Sequence, residues 1–238
     1  MGISRGKKIV TDGIVLYLDA ANNRSYVSGS TTWNNLIDTV TTASLFGGST
    51  FNSSNAGSIQ FNGTDGYVDL SNTTTLAPPY GDEDWSFNVW FKLDGDTGTY
   101  QDILSSSSTT GDWWQLQINY TIGTIRFVAD DGSDPLADLT ISASLNEWNN
   151  TSVTRDKSSD EFKLYLNGSH ELTSTDVDTT VDSIAELLIG AVWGASGANT
   201  TPKRFFTSGS VAVFQIYDKA LSTAEISQNY NALKDRFI

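Results

Sequence analysis

The chain contains no cysteine, one histidine (His170), four prolines, and only 14 basic residues against 28 acidic ones among its 238. Without cysteine there can be no disulfide and no thiolate-bound metal, so stability has to come from a buried core. With one histidine, any Ser-His-Asp chemistry would have to pass through His170, which stands in Leu166-Asn-Gly-Ser-His-Glu, the pattern of an exposed hairpin turn. The formal net charge of -14 opposes binding to nucleic acid and to anionic membrane surfaces. No apolar run is long enough to span a bilayer.

What the chain does have is alternation. Phe87, Val89, Phe91 and Leu93 interleave with Ser86, Asn88, Trp90 and Lys92, and Phe162, Leu164 and Leu166 interleave with Lys163, Tyr165 and Asn167, as strands with one core face require. Ala212, Phe214 and Ile216 fall on one face of a further strand. Clusters of Gly, Ser, Thr, Asn and Asp separate these runs, as at 104–112 and 129–135, and they are turn formers. The apolar period lengthens from two to about 3.6 only after Ser222, where Ser222 and Glu225 have the spacing of a capping box. The expectation is an all-β chain: two antiparallel sheets packed face to face as a jelly-roll-like sandwich, closed by one short C-terminal helix. Residues 13–238 read as a single domain and residues 1–12 as a basic N-terminal arm.

Seven pieces in order give this pattern a family likeness. They are Gly13-Ile-Val-Leu-Tyr-Leu-Asp-Ala-Ala-Asn, Ile59-Gln-Phe-Asn-Gly-Thr-Asp-Gly-Tyr-Val, Trp85-Ser-Phe-Asn-Val-Trp-Phe-Lys, the run from Trp148 to Asp156, Phe162-Lys-Leu-Tyr-Leu-Asn-Gly, Leu187-Leu-Ile-Gly-Ala, and the closing strand and capped helix over residues 209–233. Together they resemble the concanavalin A-like lectin/glucanase superfamily in its laminin-G-like branch, over roughly residues 13–235. Glycoside hydrolases of this fold carry Glu-x-Asp-x-x-Glu on one strand, which puts the acids on one face. Here Glu83, Glu147, Glu161, Glu171, Glu186 and Glu225 are dispersed and none has that spacing. Lyases of the fold rely on a histidine that this chain offers only at His170. The resemblance therefore points away from an enzyme.

Relatives of the fold often hold calcium at the sandwich rim, and calcium asks for six to eight oxygen ligands. The acid-rich loops make Asp82, Asp84, Asp130 and Asp131 the candidates, although no loop has EF-hand spacing and Asp and Gly also suit plain turns. Asp19 and Asp65 read as turn and strand-end hydrogen-bonding residues. Sugars stack on indole faces beside amide groups. Trp113 and Trp114 are adjacent, so they must face opposite sides of a sheet, while Trp193 lies in a loop with Gly190, Gly194 and Gly197. Trp193, Trp113 and Asn199 are the carbohydrate-binding candidates. Trp90 either points outward or belongs to a second buried face.

Arg5, Lys7 and Lys8 stand in a first decade that has no acid, and they suit docking on an acidic partner. The apolar run 14–18 is too short for a secretory leader and is followed by Asp19, and Gly6 breaks the myristoylation pattern. The Asn-x-Ser/Thr triplets would then not meet a glycosylation machinery. A product made in the cytoplasm without a leader, on a fold similar to stand-alone domains of tailed bacteriophages, leads to the expectation of a non-enzymatic virion surface protein. Its partners would be other virion proteins and copies of itself. The alternative is a lectin-like adhesin for host or extracellular glycans, with or without calcium.

Overall fold

Period-two patterning becomes sixteen strands in the computed structural model, which describes residues 8–39, 41–70, 83–107, 113–130, 135–175, 186–193 and 203–238. In chain order these are β1 (Ile14–Asp19), β2 (Thr32–Asn34), β3 (Thr42–Phe46), β4 (Thr50–Asn52), β5 (Ser58–Asn62), β6 (Tyr67–Asp69), β7 (Trp85–Leu93) and β8 (Tyr100–Ser107). They continue as β9 (Trp113–Asn119), β10 (Thr124–Asp130), β11 (Pro135–Ser142), β12 (Asn149–Asp156), β13 (Glu161–Leu166), β14 (Ser169–Thr175), β15 (Glu186–Ile189) and β16 (Ser208–Tyr217). Helix α1 (Thr223–Leu233) and a 3-10 turn at Lys234–Arg236 follow. Sheet A runs β14-β13-β12-β7-β16-β5-β4, with β1 also paired to β16, and sheet B runs β11-β10-β9-β8-β15-β6-β3-β2. No helix among the described residues is long and apolar enough to cross a membrane.

The inner faces meet in one aromatic-rich core. Phe87, Val89, Phe91 and Leu93 of β7 are fully buried against Trp114, Leu116 and Ile118 of β9 and Ile125 and Phe127 of β10. The Phe87 and Trp114 rings stack at 5.3 Å and so tie one sheet to the other. Each such side chain removed from water contributes about 1.5–3 kcal/mol, which lets a chain without crosslinks hold its fold.

The alternation expected over Ala212, Phe214 and Ile216 fails at its first member. Val211 pairs with Phe91 and Val213 with Trp90, so Ala212 is an extra residue opposite β7, a β-bulge. Val211 therefore joins Phe214 and Ile216 in the core, and Ala212 turns to the other face with Trp90 and Phe237. The bulge falls where β16 exchanges one edge partner for another: β5 pairs with Ser208–Val211 and β1 with Val213–Tyr217. The Ala212 carbonyl is not wasted there, since it accepts the Ala20 N–H at 3.0 Å.

Sheet A has a second buried face, which answers the two possibilities for Trp90. The α1 capping box forms, with the Ser222 hydroxyl accepting the Glu225 N–H and the Glu225 carboxylate accepting the Ser222 N–H at 2.9 Å. The helix then lays Tyr230 on the Trp90 ring at 5.5 Å, and the tail lays Phe237 on it at 4.3 Å. Beside them Asn88 accepts from Asn150 and Ser152 and donates to Gln215, which satisfies Asn88, while Asn150 Oδ1, Gln215 Nε2 and the Trp90 indole N–H stay unpartnered among the described residues. Arg236 fastens the tail by donating to Asp19 (2.7 Å) and to the carbonyls of Asn55 and Gly57. At the other terminus, the Lys8 carbonyl accepts from Gln228 and the buried Val10 N–H donates to Asn229, which ties the start of the described chain to α1.

Candidate functional site

With the outer face of sheet A covered by α1 and the tail, the outer face of sheet B is the one that carries side chains suited to a ligand. Trp113 and Trp114 divide as their adjacency demands: Trp114 is in the core and Trp113, half-buried, lies on the outer face. Gln115 and Gln117 follow Trp113 on that face at the strand period of two. In register beside them, Arg126 of β10 donates through Nε and Nη2 to both carboxylate oxygens of Asp138 on β11, at 2.8 and 2.9 Å. Its Nη1 donates to Gln117 Oε1 at 3.2 Å, and Gln117 in turn donates to Gln115. The Arg126 guanidinium holds the Asp138 carboxyl below its ordinary value, and Asp138 raises Arg126. The result is a row of planar polar groups locked in place by one another, as hydrogen bonding to sugar hydroxyls requires.

Two stretches of chain cross the outer face next to that row. Gly190, at φ +86, lets the chain leave β15; a Cβ there would come within 3.0 Å of the Phe61 ring. Ser105 of β8 then donates to the Ala191 carbonyl at 2.7 Å, the Asp102 N–H donates to the Phe205 carbonyl, and Val192 bridges to Arg204, so residues 190–193 and 203–205 lie against β8. Lys203 is held over two rings, its Nζ 3.6 Å from the Trp193 centroid and 4.3 Å from that of Tyr67 on β6. Tyr67 also stacks with Phe46 of β3 at 5.0 Å, and Phe46 is 43% exposed. Phe46, Tyr67, Lys203 and Trp193 thus form an aromatic cluster with an ammonium inside it, and the Trp193 indole N–H is buried without an acceptor among the described residues.

Asp102 of β8 lies beneath this crossing. It pairs with Gln117 across β8 and β9, is fully buried, and among the described residues neither carboxyl oxygen has a well-formed hydrogen bond. Burial pushes its pKa well above the ordinary 3.8, and the nearby Gln117 amide and Arg204 charge offset only part of that rise. Gln117 directs its own donor to Gln115.

The residues expected from sequence are scattered by the fold. Trp113 and Trp193 both belong to this face. Asn199 lies outside the described residues, as do Asp82, Asp131, Arg5 and Lys7. Asp84 accepts the Lys157 N–H at 2.8 Å in a turn, and Asp130 ends β10 opposite Trp113. Among the described residues no three His, Cys, Asp or Glu side chains form a group that could hold a metal ion. Asp65 is a turn residue, accepting from Gly48 N–H and Asn62, and Asp19 closes a turn by accepting the Ala21 N–H. Sequence reasoning missed Tyr67, Lys203, Asp102, Gln117 and Arg126. Of these only Gln117 had a local signal, its period-two spacing from Trp113 and Gln115.

Residues 62–227 match a laminin G family model described as the concanavalin A-like lectin/glucanases superfamily. A search of curated protein sequences found no match. Among solved structures, a botulinum neurotoxin type C structure, reported with dependence of cell entry on two ganglioside molecules, superposes with TM-score 0.72 at 15% identity, over 93% of this chain and 51% of that one. The binding domain of botulinum neurotoxin DC in complex with rat synaptotagmin II gives TM-score 0.72 at 14% identity, over 94% and 52%. The chain therefore spans about half the length of these neurotoxin structures. Domain 4 of AbnA, an extracellular arabinanase from Geobacillus stearothermophilus, in complex with arabinotriose, gives TM-score 0.68 at 12% identity, over 91% of this chain and 98% of that domain. At these identities the likeness is one of fold.

Proposed function

Since the chain belongs to the concanavalin A-like lectin/glucanases superfamily, we propose that it is a lectin-like module that binds carbohydrate on the outer face of sheet B. The observation that carries this reading is the half-exposed cluster of Phe46, Tyr67 and Trp193 on the same face of sheet B as the fixed row of Gln115, Gln117, Arg126 and Asp138, with β15 and β8 between them. Aromatic faces give a sugar ring a stacking surface, and planar amides and guanidinium read its hydroxyls. Trp113 extends the surface at the far end of β9. The arabinanase domain in complex with arabinotriose, matched over 98% of its length, supports the reading.

Binding without catalysis is part of the proposal. Asp138 is committed to Arg126 and Asp102 is buried. The other two described carboxylates of the face, Asp69 and Asp130, stand at the ends of β6 and β10, with three strands between them in the sheet order, whereas glycosidic cleavage needs a closely spaced pair. A virion-surface role finds no support in the structures named above, and its docking arm falls mostly outside the described residues. The test is a glycan array followed by calorimetric titration of the hits against Trp193→Ala and Trp113→Ala. A tenfold or greater loss in either variant is expected; no binding across the array, or variants that bind like the parent, would overturn the reading.

A further inference from the structure

Five of the described cations are matched to an acid: Arg126 to Asp138, Arg155 to Asp160, Lys163 to Glu161, Lys219 to Asp12 and Glu225, and Arg236 to Asp19. That is the expected outcome in a chain with twice as many acids as bases. Lys203 and Arg204 are consecutive and stand at the aromatic cluster of this face. Among the described residues, neither has a carboxylate within ion-pairing distance. Lys203 is instead fixed between the Trp193 and Tyr67 rings, and Arg204 lies over the Phe205 ring with its guanidinium carbon 5.0 Å from the centroid. The carboxyl that feels the Arg204 charge is Asp102, whose ionisation burial opposes.

Ring faces hold a cation by about 0.5–2 kcal/mol but do not neutralise it. An ammonium that is anchored, immobilised by two rings and left without a counter-anion is pre-organised for one, because ordering its long side chain is no longer a cost of binding. The Trp193 indole N–H near Lys203 is a buried donor without an acceptor among the described residues. We propose that the ligand of this face is an acidic saccharide, whose ring carboxylate or sulfate is received by Lys203, with Arg204 adding a second positive charge along the crossing segment. This rests on the reading of the face as a carbohydrate site. The net charge of -14 does not oppose it, since at physiological salt charges more than about 8 Å away are largely screened and the local pair of cations dominates. A nucleic acid or a membrane, by contrast, presents an extended anionic surface to the acidic remainder of the molecule.

The experiment is calorimetric titration of the whole chain at near-physiological salt with three probes matched in length: an oligogalacturonate, a sulfated galactan oligosaccharide and a neutral galactan oligosaccharide. The expected result is that at least one charged probe binds tenfold or more tightly than the neutral one. Lys203→Ala should weaken the charged probe about tenfold more than it weakens the neutral one, and Lys203→Arg should restore the difference. The carboxylated and sulfated probes together identify which anion is meant. Equal affinity for charged and neutral probes, or a Lys203→Ala loss that is the same for both, would overturn the acidic-ligand proposal while leaving carbohydrate binding in place. Absence of binding by any probe, joined to a blank glycan array, would overturn both.

Discussion

If the outer face of sheet A is a purely structural surface sealed by the C-terminal tail, then cutting the tail's fastening should cost stability and leave ligand binding untouched. Arg236 is that fastening. Its ion pair with Asp19 is nearly enclosed, with the two side chains 14% and 12% exposed, and its other donors go to the carbonyls of Gly57 and Asn55. Asn55 sits at φ +53, a conformation that a non-glycine residue keeps only when its surroundings enforce it. Arg236→Met retains the apolar stem and removes every one of these donors. Removing one partner of a buried pair costs about 3–5 kcal/mol because the other charge is left uncompensated, and with the pair slightly open the low end, about 3 kcal/mol, applies. For a domain of this size that corresponds to a melting point lower by about 6–12 °C. Adding Asp19→Asn to Arg236→Met should recover part of the loss, since the stranded carboxylate is then gone. Urea and thermal unfolding of the two variants give both numbers, and glycan titration well below the transition gives the third. A loss under about 1 kcal/mol for Arg236→Met would refute the claim that this cluster clamps the tail.

Asp102 should leave a signature in the pH dependence of stability. Its folded-state pKa is raised, so above the ordinary value of 3.8 the unfolded chain ionises first, and the stability this group contributes falls as pH rises until the folded pKa is passed. Asp102→Asn removes the titration; its advantage over the parent should grow from pH 4 upward and then level off, and parallel stability curves for the two proteins would contradict the buried, unpartnered carboxyl. Ser222→Ala should cost about 1 kcal/mol by removing the acceptor for the Glu225 N–H. Chemical denaturation resolves that loss, and a variant as stable as the parent would mean that packing under Tyr230 and Phe237 alone holds the helix.

How much was legible in the sequence follows from how local each cause is. The capping box at Ser222 and Glu225 was readable because both halves lie within one turn. The inner face of β7 was readable because alternation is a property of the strand itself. Ala212 was misassigned because the bulge answers to a change of neighbour, from β5 to β1, that no period reveals. Trp90 was left open for the same reason: what covers it, Tyr230 and Phe237, is some 140 residues away in the chain. Asp102 looks like an ordinary strand-edge acid in Tyr100-Gln-Asp-Ile-Leu, and only the crossing by residues 190–193 and 203–205 buries it.

The candidate site illustrates the limit most directly. Aromatic content pointed to Trp193 and Trp113, and both do lie on the outer face of sheet B, but composition could not say what stands against them. Lys203 comes from a stretch, Lys-Arg-Phe-Phe, that by itself reads as a solvated charge pair beside apolar residues. Its meaning depends on Tyr67, well over a hundred residues earlier, reaching the same ammonium from another strand. Net charge was equally misleading at this scale. A total of -14 argues against an extended anionic partner, yet a ligand the size of an oligosaccharide meets only the charges within a screening length, and at the Trp193 cluster the cations are Lys203 and Arg204, with Arg126 farther along the face neutralised by Asp138. Ligand sign is therefore a property of the unpaired residues at the site rather than of the whole chain.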